Sequence, residues 1–125
     1  MAVSKVSLHR IANQTRGSVL ATQAELADSF LKRGLGLMGR RSLPEGGGLI
    51  LYPNNNIHMF FMRFPIDVLF VDRDHRVVGL RHTFKPWRPF AAARAARYTI
   101  ELPAGVLAAS GTEVGDTLQL TPDLH

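Results

Sequence analysis

The sequence predicts an α+β protein: a single β-rich domain, built as a mostly antiparallel sheet or partly closed barrel, with two short helices. Three observations predict it. Most of the chain alternates apolar and polar residues at period two, the signature of half-buried strands. Two stretches, Met59 to Met62 and Val68 to Val71, are continuously apolar, which suits strands covered on both faces. Only two short stretches combine helical spacing with end signals. At 125 residues the chain has the length of one domain, predicted over 1–125, and buries roughly two thirds of its unfolded surface without metal or disulfide staples.

Each element follows from local chemistry. Ser4 to Ala12 and Ser18 to Ala27 alternate, with Gly17 between them as a turn residue, and predict a hairpin. From Asp28 onward Phe30, Leu31, Leu35, Leu37 and Met38 cluster at helical spacing. Asp28 or Ser29 can cap that helix and Gly39 can end it. Leu43 to Gly48 reads as loop, Leu49 to Tyr52 as a short strand, and Pro53 to Asn56 as another loop. Val68 to Val71 and Arg76 to Leu80 predict a second hairpin, joined by Asp72-Arg73-Asp74-His75, because Asp and His tolerate a left-handed backbone. Phe84 to Arg94 holds Pro86, Pro89 and an alanine run, and predicts an extended loop that can end in a helical turn. Tyr98 to Leu102 is a strand, Pro103 to Gly111 a brief helix with Pro at its first position, and Thr117 to Thr121 the last strand.

Composition excludes several classes. The absence of cysteine removes disulfide scaffolds, Cys-ligated zinc, iron–sulfur clusters and thiol nucleophiles. No apolar run approaches the roughly 18 residues of a membrane span, and the first residues lack a signal-peptide stretch, so the expected location is the cytoplasm. The chain is basic, with 15 Lys+Arg against 10 Asp+Glu and an isoelectric point near 10.4. Arginine dominates the cations, which reflects a GC-rich coding bias as readily as phosphate binding. The excess is local: Arg73, Arg76, Arg81, Lys85, Arg88, Arg94 and Arg97 face Asp74 alone between residues 73 and 97. Within that segment Phe84-Lys85-Pro86-Trp87-Arg88-Pro89-Phe90 interleaves aromatics with cations, as a single-strand nucleic-acid surface does. The plainer reading has Trp87 and Phe84 covering the core with Arg stems lying over them.

Motifs for catalysis are weak. Gly34-Leu35-Gly36-Leu37-Met38-Gly39 matches the dinucleotide fingerprint in letters, but helical residues precede it where a strand is required. Gly46-Gly47-Gly48 lacks the Lys-Ser/Thr of a phosphate loop and reads as a turn. No serine sits in a nucleophile elbow, and no His/Asp spacing suits a metal, so neither metal nor cofactor is predicted. The densest chemistry lies between Ile57 and Asp67, where Arg63, expected to be buried among aromatics, and Asp67 interrupt an apolar run. One reading makes Arg63 an anion anchor, with His58 as a base and Asp67 as its orienting group. The other makes Arg63 and Asp67 a structural ion pair across the Pro65 bend, with His58 bonded to a loop carbonyl.

Several stretches together resemble the prokaryotic domain of unknown function 192 family. They are Phe30 to Arg40, Ile57-His58 to Met62-Arg63-Phe64-Pro65-Ile66-Asp67 with the strand through Asp72, Pro86, Glu101 to Gly105, and Gly115-Asp116. The resemblance spans roughly residues 15 to 121, and its most diagnostic part is Met-Arg-Phe-Pro-Ile-Asp before an apolar strand. It implies a compact β-rich α+β domain and no activity. Two positions depart from the family pattern: Met59 stands where Thr often follows the His, and His75 where the hairpin turn usually has Gly. The second departure is expected to affect only the turn.

These readings converge on a non-catalytic domain that binds a small anionic ligand or a partner peptide, with His58, Met62, Arg63, Asp67 and Trp87 as ligand-binding candidates. A small hydrolase or transferase using His58, Asp67 and Arg63 is the alternative, and nucleic-acid binding through residues 73–97 the third. The partner is an unknown small molecule or protein, and no membrane is expected.

Overall fold

The computed structural model describes residues 7–28, 42–57, 63–86 and 91–124. The chain runs through β1 (Leu8–Asn13), β2 (Ser18–Ala27), β3 (Gly47–Leu51), β4 (Asn56–Ile57), β5 (Ile66–Val71), β6 (Val77–Phe84), β7 (Ala91–Ala92), β8 (Tyr98–Pro103), α1 (Val106–Ser110) and β9 (Leu118–Thr121). Seven strands form one sheet in the order β6-β5-β8-β3-β2-β1-β9, and β4 pairs with β7 separately. Among the described residues only the β2–β3 pairing is parallel, so the sheet is mixed.

The sheet curls into a half-barrel because its two edge strands meet at one end. Arg76 bridges to Thr117, Leu118 N–H donates to the His75 carbonyl over 2.8 Å, and Val77 N–H donates to the Asp116 carbonyl over 2.8 Å. Between these contacts and the far end of β6, the chain from Gly105 through α1 spans the gap, and the fully buried Leu107 of α1 enters the inner core. Burial of such a side chain contributes roughly 1.5–3 kcal/mol.

Two apolar layers sandwich the middle of the sheet. Leu69, Val71, Ile50, Ile100 and Leu102 pack inward around Tyr98 and Leu107, whereas Ile66, Val68, Phe70, Leu49 and Leu51 pack outward with Phe64, Phe84 and Ala91. β5 is buried at all six positions because alternate residues serve both layers, as the continuous apolar run Val68 to Val71 predicts. β9 alternates buried and exposed because only its inner face is covered.

The hairpin β1–β2, the hairpin β5–β6 with its turn, and the strands β8 and β9 lie where periodicity places them. Other expectations shift. The helix expected from Asp28 to Gly39, apart from Asp28 itself, Met59 to Met62, and the Trp87 to Phe90 part of the basic loop lie outside the described residues, and α1 is the one helix among those described. The glycine run is not all turn: Gly46 has a left-handed φ of 78°, but Gly47 and Gly48 open β3. A Cβ on Gly48 would come within 3.1 Å of the Glu101 carbonyl oxygen, so glycine is what allows β3 to lie so close to β8. Pro103 is the last residue of β8 and not the first of the helix. The helix begins at Val106 after Gly105, with no side-chain cap of its own. Its cap comes from β5: Asp67 Oδ2 accepts from Gly105 N–H at 3.0 Å and Leu107 N–H at 2.9 Å, a partner 40 residues away that local signals cannot show.

Candidate functional site

Asp67 lies on the inward side of β5 and is fully buried. Its other oxygen, Oδ1, accepts from Thr83 N–H at 2.8 Å, so both oxygens serve the backbone. Thr83 has a φ of 48°, an unfavourable conformation for a β-branched residue, and the carboxylate holds it there. Arg63 is exposed in the segment before β5, not buried among aromatics, and among the described residues no ion pair joins it to Asp67. The reason is geometric: Asp67 points into the barrel, while Arg63 precedes the strand on the solvent side. His58, Met62 and Trp87 lie outside the described residues. A second buried acid, Glu101, sits opposite Leu49 and Val68 in the ladder, on the outward layer.

A different constellation assembles where the 72–76 turn meets the start of β8. Asp72 Oδ1 accepts from the N–H groups of Asp74 and Arg76, each at 2.9 Å, closing an Asx-type turn. That turn puts His75 at φ 62°. A left-handed non-glycine residue carries a cost of roughly 1 kcal/mol, and the His75 ring meets it with a contact glycine cannot make. Nδ1 lies 2.7 Å from the Tyr98 hydroxyl, and the two rings meet edge-on with centroids 5.7 Å apart. The expectation that His75 affects only the turn is therefore corrected: its side chain also builds a site.

Around this pair lies a cleft of about 220 Å³ lined by Tyr52, Arg73, His75, Arg97, Tyr98 and Leu124. Arg97 is fixed by its backbone, whose N–H donates to the Val71 carbonyl at 2.7 Å and whose carbonyl accepts from Asn54. Its guanidinium stands 5.1 Å from the centre of the Tyr52 ring. Among the described residues, neither Arg73 nor Arg97 is in an ion pair. Burial pushes the Tyr98 phenol far above its ordinary range, with the carboxylates of Asp123 and Asp72 adding to the shift. Tyr98 therefore stays a phenol, with its hydroxyl in hydrogen-bond contact with His75 Nδ1. The cleft thus offers two guanidinium forks beside an imidazole and aromatic walls, a donor set suited to a compact anion.

The charge count had already placed Arg73 and Arg97 at the two ends of the basic segment, but only the β5–β8 pairing brings those ends together. Replacing His75 by Gly separates the turn from the site. His75→Gly relieves the left-handed strain and loses the Tyr98 hydrogen bond, so thermal unfolding should show a net change within about 1 kcal/mol. Anion binding, read by calorimetric titration with phosphate, should weaken several-fold.

Among the described residues, no group of three or more His, Cys, Asp or Glu is placed to hold a metal ion, and no helix is long and apolar enough to cross a membrane. A family model described as an uncharacterized ACR matches residues 11–120. A UPF0127 protein of Thermococcus kodakarensis is 39% identical over 116 residues, covering 90% of this chain and 73% of that protein. Two solved structures share the fold. One, a protein of unknown function from Novosphingobium aromaticivorans, superposes with a TM-score of 0.79 at 22% identity, covering 91% of this chain and 84% of its own. The other, from Sinorhizobium meliloti and described as a "putative transcription regulator", has a TM-score of 0.80 at 24% identity and covers 94% of this chain and 98% of its own.

Proposed function

Because the chain belongs to the DUF192 family of uncharacterised proteins, we propose its function from geometry: it is a non-catalytic binding domain for a small anionic ligand. The observation that carries the reading is the cleft in which Arg73, Arg97 and His75 converge on one face of Tyr52 and Tyr98. Two guanidinium groups without an ion pair among the described residues, at the rim of a concave and partly aromatic site, supply charge-assisted donors and no nucleophile.

The catalytic alternative draws on His58, Asp67 and Arg63, and its orienting acid is already committed. Both Asp67 oxygens accept backbone N–H groups from Thr83, Gly105 and Leu107, which supports a structural duty for that carboxylate. The set His58, Met62, Arg63, Asp67 and Trp87 competes with the cleft as the place of the ligand, and Arg63 is its exposed cation.

Thermal unfolding against a panel of inorganic phosphate, sulfate and small carboxylates tests the proposal. A ligand selective for the folded state raises the melting temperature by mass action, by about 2.7 kcal/mol of stabilisation at one hundred times its Kd. The upward shift should be lost in Arg97→Ala and Arg73→Ala, whose ligand-free melting temperatures stay near that of the parent, and kept in Arg63→Ala. A shift lost only in Arg63→Ala moves the site to the Met62 to Asp67 segment. No shift with any anion rejects the reading.

Nucleic acid is the competing partner, favoured by the exposed cations of the basic segment, including Arg73, Arg76, Arg81, Lys85, Arg94 and Arg97. Titration with single-stranded and duplex DNA across salt decides it, since phosphate-backbone binding weakens steeply with ionic strength.

A further inference from the structure

A second polar constellation stands at the entry to β1, among residues that do not line the cleft. Ser7 and His9 are two residues apart, so extended chain puts both side chains on one face, and Ser7 Oγ lies 3.0 Å from His9 Nε2. The other ring nitrogen, Nδ1, lies 2.6 Å from the carbonyl oxygen of Pro122, just beyond β9. A carbonyl oxygen only accepts, so Nδ1 carries a proton. In the neutral ring Nε2 is then a bare acceptor, and the Ser7 hydroxyl donates to it. The surroundings hold this geometry. His9 is 3% exposed and pairs with Ala24 of β2, while the Ser7 carbonyl accepts from Leu26 N–H at 3.0 Å. Ser7 itself is exposed. The hydroxyls of Ser18 and Ser110, by contrast, donate to the backbone carbonyls of Ser110 and Leu107.

We infer that Ser7 is a nucleophilic serine that takes an acyl group from an activated ester, with His9 as its general base and the Pro122 carbonyl orienting the ring. A serine hydroxyl attacks poorly until a base within hydrogen-bond reach removes its proton, and the base works best when a third group fixes its orientation. All three parts are present here. Tertiary structure assembles them, because Ser7 and His9 open β1 while Pro122 follows the last strand. In the step, Ser7 Oγ bonds to the acyl carbon, the bond from that carbon to the leaving oxygen breaks, and the hydroxyl proton passes to His9 Nε2. That proton then goes to the departing oxygen or to solvent, and no electrons are exchanged with a redox partner. Nδ1–H stays on the Pro122 carbonyl throughout, in a hydrogen bond that strengthens as the ring gains charge. The three groups assist attack rather than departure, so the donor is an ester with a good leaving group, such as a phenol. Because Ser7 is exposed, a small acyl donor reaches it from solvent. The inference does not rest on the anion cleft, with which it shares no residue.

Acetylation of the full chain by p-nitrophenyl acetate tests this. Release of p-nitrophenolate should show a burst of about one equivalent per chain, and mass spectrometry of peptides should place the acetyl group on Ser7 as an ester that hydroxylamine removes. Ser7→Ala should abolish the burst while unfolding near the parent's temperature, because the residue is exposed. Ser42, also exposed, is the internal reference. In the folded chain Ser7 should acetylate about a hundred-fold faster than Ser42, the lower end of what a positioned base supplies. His9→Gln should remove that advantage. His9 is buried, so the parent in denaturing urea repeats the comparison without a substitution, and there the two serines should react alike. Acetyl groups found only on amines, where hydroxylamine leaves them in place, overturn the inference. A Ser7 rate that matches Ser42 in the folded parent also overturns it, as does an advantage that survives in folded His9→Gln or in urea.

Discussion

Replacing Asp67 by Ala should lower the free energy of unfolding by roughly 3–5 kcal/mol, the range for removing a buried charged partner. Three backbone groups depend on that carboxylate. Thr83 N–H loses its acceptor and with it the contact that holds a β-branched residue at φ 48°. Gly105 and Leu107 N–H groups lose the remote cap of α1, and the helix has no side-chain cap of its own to replace it. Because Leu107 is fully buried in the inner layer, a loosened α1 also opens the core. Asp67→Asn should fall between parent and Ala, since an amide nitrogen cannot accept and one of the two partner sets must go. Urea denaturation with an unchanged m-value is the measurement. A loss below about 1 kcal/mol in Asp67→Ala would show that water or a rearranged loop replaces the carboxylate at little cost.

The second large effect is expected at Asp116. Its carboxylate accepts from Asn13 Nδ2, Arg16 Nε and the Glu113 N–H, each at 3.0 Å, and from Arg16 Nη2 at 3.2 Å. Asn13 also donates to Thr112, so β1, the loop after α1 and the entry to β9 meet at one buried acid. Asp116→Ala strands the Glu113 N–H and the Arg16 fork, and should cost roughly 2–3 kcal/mol. The charge itself can be read by pH. The Arg16 hydrogen bond, with help from Asn13 and the Glu113 N–H, lowers the Asp116 carboxyl to about 2, below the ordinary carboxylate value near 3.9. A lowered folded-state value means the stabilisation is complete above about pH 4 and drains away as pH falls toward 2. Arg16 is partly exposed and solvent screens the pair, so the pH-dependent part is about 1–2 kcal/mol. The urea midpoint of Asp116→Asn should lose that part of its slope between pH 4 and pH 2. An identical slope in parent and variant would assign the acid sensitivity to other carboxylates.

These two acids show how the chain's polar residues divide. Asp67 drew attention in the sequence because it interrupts an apolar run, and the expectation offered it an arginine or a histidine. The backbone is its partner instead, because a strand that runs beneath a helix start presents unsatisfied N–H groups at hydrogen-bonding distance. Asp116 stands out in the sequence only as part of Gly115-Asp116 in the family resemblance, since nothing local distinguishes a surface Gly-Asp turn from one folded over β1. His75 was legible as a left-handed turn residue but not as a wall of a cleft. The turn type depends on four consecutive residues, whereas the wall depends on Tyr98, Arg97 and Tyr52, which arrive from other strands.

What the amino-acid order determined by itself is therefore local: alternation set most strands, the apolar run Val68 to Val71 announced burial on both faces, and Asp72 to His75 encoded a tight turn. Each depends on interactions within a few residues or on the period of the chain. Tertiary structure alone decided the parallel β2–β3 pairing, the late start of α1, the joining of β6 to β9, and the meeting of Arg73, His75 and Arg97 around Tyr98. The physical reason is range. Hydrophobic periodicity reports which face of a strand is buried, but not which neighbour it lies beside, and a site made of ring edges and guanidinium forks exists only once that neighbour is chosen.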